Sequence, residues 1–217
     1  MIKIPEWAPK IKFLCFDVDG TLCHSISKVW EAIKQSFVKS ISGQLKISVS
    51  DAEKYISERY KILGSTTKVL EEAGIDGKEF FNNAYAKLDF SKIIKKDDRL
   101  IKLIAELKKR YLIGILSNGG RDAVIKKIQA VGLEEKMFNP FLTTYEMQSL
   151  KPDPAPFLKA LEIAGCPPEE SVYIGDSVET DIMGAKAVGM KTILVWGKSP
   201  EADLSIPAIY DLEKIFL

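Results

Sequence analysis

Short apolar segments alternate with longer amphipathic segments along most of the chain. Four apolar segments, rich in β-branched and aromatic residues, predict buried strands at residues 11–16, 111–116, 172–174 and 192–195. Three amphipathic segments carry apolar residues at helical spacing and predict helices over residues 98–110, 122–131 and 156–164. This alternation is typical of an α/β fold with a Rossmann-like, doubly wound parallel sheet.

The stretch from about residue 25 to residue 90 breaks the alternation, because its pattern predicts helices and no strand. Two apolar stripes at helical spacing indicate a helix-bundle core. They comprise Trp30, Ile33 and Phe37, and Phe80, Phe81, Ala84 and Leu88. The sequence from Ser50 to Glu53 predicts a capping box, and Asp76 predicts the start of another helix.

The chain length fits a core with one insertion. At about 150 residues per domain, 217 residues correspond to one domain that carries a sizeable insert. We therefore predict that residues 1–22 and 95–217 form the Rossmann-like core. Residues 23–94 are predicted to form a helical cap domain inserted into it.

The composition is that of an ordinary globular protein, with 46% hydrophobic and 28% charged residues. The net charge of +1 argues against a strongly basic nucleic-acid binder and an acidic disordered tail. No apolar run approaches the roughly 18 residues that a membrane span needs, and the N-terminal residues lack a signal-peptide core. Three scattered cysteines fit a reducing compartment, so we expect a cytoplasmic protein. From the net charge and the lack of a long apolar run, we expect neither a nucleic acid polymer nor a membrane as partner. The oligomeric state stays open.

Two aspartates in the segment Asp17-Val18-Asp19-Gly20-Thr21 directly follow the first predicted strand. Alternation at the strand end places Asp17 and Asp19 on the same side, where parallel sheets bind their ligands. Two neighbouring carboxylates repel, so one is easily protonated while the other stays ionised, which suits a nucleophile beside a general acid/base. The alternatives are a cation site and a simple turn with Gly20 at the bend.

A second acidic pair lies in the segment from Gly175 to Asp181, which also follows an apolar strand. Asp176 and Asp181 lie five residues apart across a strand-to-helix turn. Oxygen-only clusters of this kind suit Mg²⁺, which uses one or two carboxylates together with water and phosphate. The alternative is that Asp181 only helps to begin a helix.

Two further segments carry polar groups at places where loops are expected. Ser117-Asn118-Gly119-Gly120 follows a strand, so its hydroxyl and backbone amides could cradle a phosphate; an ordinary glycine turn is the alternative. Lys151 stands in a proline-rich loop that could hold its ammonium group as a counter-charge, although a lysine in such a loop is usually solvated.

The order of these four motifs resembles that of the haloacid dehalogenase-like (HAD) hydrolase superfamily. The matching residues are those from Asp17 to Thr21, Ser117, Lys151 and those from Gly175 to Asp181, and the resemblance extends over about residues 12–196. The helical insert after the first motif resembles the small helical cap of that superfamily.

The resemblance implies a role for each reactive residue. The aspartate matching Asp17 attacks phosphorus and becomes an aspartyl-phosphate. The one matching Asp19 protonates the leaving oxygen and then activates the water that hydrolyses the phosphoenzyme. The resemblance also implies that Lys151 offsets the negative charge of Asp17 and of the phosphate.

The resemblance further implies binding roles. Ser117 and the backbone amide of Asn118 would bind the transferring phosphoryl group, and Thr21 would settle the loop. Mg²⁺ would be held by Asp17, Asp176 and the main-chain carbonyl of Asp19, with Asp181 in support.

These expectations favour a phosphatase that hydrolyses a small phosphorylated metabolite. Haloacid dehalogenases resemble this group but lack the second aspartate of the first motif, so Asp19 argues for phosphoryl transfer. The alternatives are a phosphomutase similar to β-phosphoglucomutase and a non-catalytic phosphate-binding regulatory domain. The substrate could be a nucleoside monophosphate, phosphoglycolate or a sugar phosphate; residues 58–64 are similar to cap segments of pyrimidine 5'-nucleotidases.

Overall fold

The computed structural model describes residues 3–24, 26–147 and 149–217. The chain divides into two compact units. One unit comprises Met1–Ser25 and Ile94–Leu217, and the other comprises Ile26–Ile93. The first unit contains every residue singled out above as a candidate for chemistry.

Six parallel strands form one sheet among the described residues. They are β1 (Phe13–Phe16), β2 (Leu112–Ser117), β3 (Phe141–Thr143), β4 (Ser171–Gly175), β5 (Lys191–Val195) and β6 (Leu204–Ile206). The strand order is β3-β2-β1-β4-β5-β6, which confirms the predicted doubly wound α/β fold. The order reverses at β1, so the crevice where such sheets bind ligands lies beyond its carboxyl end, between the β2 and β4 loops.

Two of these strands, β3 and β6, were not predicted from the pattern. Each has only three residues, and such a length carries too few positions to show a periodicity. Both lie at an edge of the sheet, where one neighbouring strand suffices to hold them. The four predicted strands are present, with ends shifted by one or two residues.

Ten α-helices are present in the described part of the chain. They are α1 (Ile26–Leu45), α2 (Val49–Leu63), α3 (Thr66–Glu72), α4 (Gly77–Ala86), α5 (Phe90–Ile93), α6 (Asp98–Lys108), α7 (Arg121–Val131), α8 (Pro154–Ala164), α9 (Met183–Ala187) and α10 (Glu213–Phe216). Short 3₁₀ turns span Ala8–Lys10, Glu135–Met137, Thr144–Glu146, Pro168–Glu170 and Ile209–Leu212, and a π-helical turn spans Val178–Ile182. The three helices predicted in the core are confirmed within two residues at each end. None of the helices among the described residues is long and apolar enough to cross a bilayer.

The unit formed by Ile26–Ile93 is helical, and partly buried aromatic rings pack against its core at Phe37. The Phe37 ring centroid lies 5.1 Å from that of Trp30 in the same helix and 5.6 Å from that of Phe80, so an edge-to-face contact between Phe37 and Phe80 joins α1 to α4. The predicted helix start at Asp76 is confirmed, because its carboxylate accepts a hydrogen bond from the Glu79 amide.

The predicted capping box at Ser50 is wrong. Ser48 caps α2 instead: its hydroxyl oxygen accepts a hydrogen bond from the backbone amide of Asp51. Ser50 therefore lies inside the first turn of the helix. Ser48 and Asp51 have the same three-residue spacing as the predicted pair, so the pattern identified the helix start but placed it two residues late.

The centre of the core is built around β1. Phe13 and Cys15 are fully buried and pack with Leu116, Phe157 and Tyr173. Both residues lie in the first strand that the sequence pattern predicts to be buried. This apolar packing holds the ends of β1, β2 and β4 side by side, which fixes the starting points of the loops that follow them.

Gly114 in β2 provides a test of this packing. A Cβ atom at Gly114 would lie 2.9 Å from Phe13 Cε2 and from Pro140 Cδ. We predict that Gly114→Ala lowers the free energy of unfolding by about 1–3 kcal/mol, because the core would be overpacked. The matched control is Gly43→Ala at an exposed position of α1, where a Cβ meets nothing within 4 Å and a gain of about 0.5–1 kcal/mol is expected. Urea unfolding measures both, and equal stability of the two variants would contradict the packing described.

Candidate active site

The ammonium group of Lys151 joins three elements at the carboxyl end of the sheet. Its Nζ atom lies 2.7 Å from Asp17 Oδ1, 2.7 Å from Asp181 Oδ1 and 2.7 Å from the Tyr173 hydroxyl oxygen. Asp17 follows β1, Asp181 lies in the turn after β4, and Tyr173 is in β4. Lys151 is only 5% exposed, so this lysine is a buried counter-charge and not a solvated loop residue.

Asp17 is fixed both by its backbone and by its side chain. Its amide donates to the Ile174 carbonyl oxygen at 2.9 Å, which extends the β1–β4 pairing by one residue. Burial raises the pKa of Asp17 to about 8; Lys151 opposes this, whereas the charges of Asp181 and Asp19 add to it. Positive charge in addition to that of Lys151 would favour the ionised form of Asp17.

The partners of Lys151 stabilise its charged ammonium form. Burial disfavours the ammonium form, but the carboxylates of Asp17 and Asp181 outweigh this and raise the pKa of Lys151. The Tyr173 hydroxyl accepts from Lys151 and donates to the Leu116 carbonyl oxygen at 2.7 Å. Tyr173 therefore ties Lys151 to the end of β2, a role that sequence reasoning missed because the tyrosine looks like an ordinary strand residue.

Asp176 lies at the exposed side of the cluster. The Thr21 hydroxyl donates to its Oδ1 atom at 3.1 Å, which links the loops after β1 and β4. Gly20 adopts φ +88°, and a Cβ there would lie 2.1 Å from Asp176 Oδ2, so only glycine leaves room for this carboxylate. Desolvation and the charge of Asp181 raise the pKa of Asp176 to about 6, while the Thr21 bond opposes the rise.

Three carboxylates converge in a way that could hold a metal ion. Oxygen atoms of Asp17, Asp176 and Asp181 lie within 4.8 Å of one another. All of these ligands are hard oxygen donors, as Mg²⁺ requires. After burial, the charge of Asp181 raises the pKa of both Asp17 and Asp176, and a divalent cation would offset this repulsion. The residues present thus fit a divalent cation.

The last residue of β2, Ser117, and the next residue, Asn118, are both anchored by hydrogen bonds. The Ser117 hydroxyl oxygen accepts from the Gly119 amide at 3.2 Å. Asn118 Oδ1 accepts from the Lys151 amide at 2.9 Å and from the Thr144 hydroxyl at 2.9 Å, and its Nδ2 donates to the Lys151 carbonyl oxygen. Asn118 therefore holds the Lys151 loop in place. Thr144 was missed because it follows the unpredicted strand β3.

Asp19 has a different partner from Asp17. Its Oδ1 and Oδ2 accept from Lys127 Nζ at 2.7 and 2.8 Å. Lys127 lies in α7 and its side chain is 1% exposed, whereas that of Asp19 is 29% exposed. Sequence reasoning missed Lys127, although a lysine three residues after Val124, on the apolar face of a helix, was a signal that could have identified it.

The sequence model of the family described as haloacid dehalogenase-like hydrolase matches residues 14–195. The chain belongs to this family. The resemblance seen in the four motifs is thereby confirmed. The match spans all eight predicted site residues of this haloacid dehalogenase-like hydrolase: Asp17, Asp19, Thr21, Ser117, Asn118, Lys151, Asp176 and Asp181.

Curated relatives of this hydrolase align over most of the chain. Pyrophosphatase PpaX of Bacillus mycoides is 27% identical over 86% of this chain and 84% of that protein. Glyceraldehyde 3-phosphate phosphatase of Pyrococcus furiosus is 27% identical over 90% of this chain and 85% of that protein. Protein SUPPRESSOR OF QUENCHING 1, chloroplastic, of Arabidopsis thaliana is 29% identical over 94% of this chain, but the chain spans only 19% of its length.

A solved structure supports the same assignment. The crystal structure of a HAD phosphatase from Thermococcus onnurineus matches with a TM-score of 0.71 and 25% identity, over 94% of this chain and 97% of that chain. Together with the family match and the curated phosphatases, it confirms the predicted class of enzyme, a haloacid dehalogenase-type phosphoric monoester hydrolase.

The buried position of Lys151 predicts a large effect on stability. Lys151→Met leaves Asp17 and Asp181 buried without their shared counter-charge, so we expect the free energy of unfolding to fall by about 3–5 kcal/mol. Urea unfolding should be followed in EDTA, so that no added cation replaces the ammonium group. Lys159→Met is the control, because Lys159 pairs with Glu162 at the exposed surface and should change stability by less than about 0.5 kcal/mol. Equal losses in the two variants would contradict the charge arrangement.

Proposed function

We propose that this hydrolase is a Mg²⁺-dependent phosphatase that cleaves a small phosphomonoester through a phosphoryl group carried by Asp17. The observation that carries the proposal is the position of Lys151 Nζ, 2.7 Å from both Asp17 and Asp181, with the Asp176 carboxylate in the same cluster. A phosphate dianion and a carboxylate nucleophile repel each other, so catalysis requires concentrated positive charge at this place.

The first half of the reaction breaks the bond between phosphorus and the leaving oxygen. A carboxylate oxygen of Asp17 forms a new bond to phosphorus, while Asp19 gives a proton to the leaving oxygen, so that an alcohol departs. The contact between Lys151 and Asp17 Oδ1 orients the Asp17 carboxylate for attack. Ser117 and the backbone amide of Asn118 hold the phosphoryl oxygens in this proposal.

The second half returns Asp17 to its carboxylate form. Asp19, now ionised, accepts a proton from a water molecule whose oxygen attacks phosphorus. The bond between phosphorus and Asp17 breaks, and inorganic phosphate leaves. Because Asp19 is protonated again at the end, the two halves balance and no other co-reactant is needed.

The metal is assigned by the same donors. Asp17, Asp176 and the main-chain carbonyl of Asp19 would hold Mg²⁺, which when bound supplies the positive charge that stabilises the phosphoryl oxygens. Both oxygens of Asp181 already accept protein hydrogen bonds, from Lys151 Nζ and from the Ser177 amide. We therefore assign Asp181 a supporting position beside the direct ligands.

The proposed substrates are small phosphorylated metabolites. The resemblance favours nucleoside monophosphates, phosphoglycolate and sugar phosphates, and the names of the relatives add pyrophosphate and glyceraldehyde 3-phosphate to the panel. A phosphomutase on the same scaffold would isomerise a sugar phosphate without net release of phosphate, so phosphate release separates the two functions.

Asp17→Asn tests the proposed nucleophile. We predict that the variant folds, binds substrate and loses about 1,000-fold or more of its rate of phosphate release, because the amide cannot form the phosphoenzyme. The measurement is phosphate release from the substrate panel, with Mg²⁺ and with EDTA. Asp98→Asn, at a side chain that is 82% exposed, is the control with unchanged activity. Activity retained by Asp17→Asn would remove Asp17 as the nucleophile.

Asp176→Asn tests the metal assignment. We predict that the Mg²⁺ concentration for half-maximal phosphate release rises about 10- to 100-fold, because one charged oxygen ligand is lost. The maximal rate at saturating Mg²⁺ falls less than in Asp17→Asn. An unchanged Mg²⁺ requirement would mean that Asp176 does not hold the cation.

A further inference from the structure

We infer that Lys127 is a positioning residue that holds the carboxylate of Asp19 for its acid/base work. This inference rests on the proposed function, since it deepens the role given there to Asp19. Lys127 lies in α7, outside the four motifs, and no family motif quoted above includes it. Its ammonium group contacts the carboxylate of the proposed acid/base, so the role inferred for it acts through Asp19.

The contact is specific in its geometry. A single ammonium group lies 2.7 Å from one oxygen of Asp19 and 2.8 Å from the other. An ammonium group at nearly equal distances from both oxygens restrains the direction in which the carboxylate points. Each oxygen keeps a second lone-pair direction, so the carboxylate can still exchange a proton with a leaving oxygen or a water molecule.

The burial of Lys127 argues that stability alone does not account for it. The side chain is 1% exposed and occupies the apolar face of α7, between Val124 and Ile128. Taking an ammonium group out of water is expensive, and apolar residues in place of both partners of a buried ion pair are often equally stable or more stable. A buried lysine paired with a carboxylate that is still 29% exposed is therefore better explained by what it does to that carboxylate.

The place where Asp19 is held is also informative. A Cβ atom at Gly119 would lie 3.7 Å from Asp19 Oδ2 and 3.4 Å from Ser117 Oγ. The Asp19 carboxylate thus lies beside the loop proposed to bind the phosphoryl group. Its backbone is separately fixed, because the Gly20 amide donates to the Cys23 carbonyl oxygen at 3.0 Å. What remains to be oriented is the side chain, and Lys127 is the residue in contact with it.

The two lysines thereby serve two different carboxylates. Lys151 is bound to Asp17 and Asp181, whereas Lys127 is bound to Asp19. A single shared cation would draw Asp17 and Asp19 towards the same point. Separate cations keep the proposed nucleophile and the proposed acid/base on their own anchors, so both can face one phosphoryl group.

Lys127→Met tests this inference by steady-state kinetics on the best substrate of the panel. We expect kcat to fall about 10- to 100-fold, as part of the 100- to 10,000-fold that acid/base catalysis supplies. We expect KM to stay within about threefold, because the binding residues are untouched. Lys126→Met, at the exposed neighbouring position of α7, should keep the kcat of the natural chain. An unchanged kcat in Lys127→Met would overturn the inference.

A double variant distinguishes positioning from a general effect on the site. If Lys127 acts through Asp19, Lys127→Met should cause no further loss of kcat in the Asp19→Asn background. Losses that multiply would show that Lys127 acts by another route and would overturn the inference. A purely structural role would not produce this dependence on Asp19.

Folding and the proposed function are controlled in the same experiment. Urea unfolding of Lys127→Met and of Lys127→Gln should show folded proteins that lose less stability than Lys151→Met, since the Asp19 carboxylate left without its partner is 29% exposed and keeps contact with water. Failure of both variants to fold would make Lys127 a structural residue and overturn the inference. If the natural chain releases no phosphate from any substrate, the proposed function itself fails and takes the inference with it. If the natural chain and Lys127→Met release phosphate with the same kcat, the inference fails while the proposed function stands.

Discussion

Four carboxylates lie close together at the carboxyl end of the central strand and in the loop after β4: Asp17, Asp19, Asp176 and Asp181. Their mutual repulsion is the constraint on which the site depends. Burial and repulsion together raise the pKa of Asp17, which would oppose its use as a nucleophile. The buried ammonium group of Lys151 reduces this cost for Asp17 and Asp181, and that of Lys127 does so for Asp19. The positive charge still needed is what a divalent cation would bring.

The sheet topology explains how residues far apart in sequence meet at this point. The strand order reverses at β1, so the loops after β2 and β4 lie on either side of the loop after β1. Hydrogen bonds then connect the loops directly: Thr21 to Asp176, and Asn118 to both backbone groups of Lys151. The site is therefore held by a network that depends on apolar packing beneath it, around Phe13 and Tyr173.

The sequence predicted the parts of this site that occur as local patterns. Asp17 and Asp19 could be found because acidic residues directly follow an apolar strand, and the fold could be found because strands and helices alternate. Lys127, Tyr173 and Thr144 could not be found in this way, because their contacts span 108, 22 and 26 residues along the chain. Such partners depend on register and burial, which a local pattern does not encode. The strands β3 and β6 were not predicted because three residues are too few to show a periodicity.

The most direct test of the account is to locate the phosphoryl group on the protein. The Asp19→Asn variant, in which hydrolysis of the phosphoenzyme should be slow, is mixed with the best substrate and Mg²⁺ and quenched in acid. Peptide mass spectrometry then finds the modified residue. The account predicts one added phosphoryl group on Asp17, absent from Asp17→Asn. A phosphoryl group on another residue, or substrate turnover with no phosphoenzyme in any variant, would contradict it.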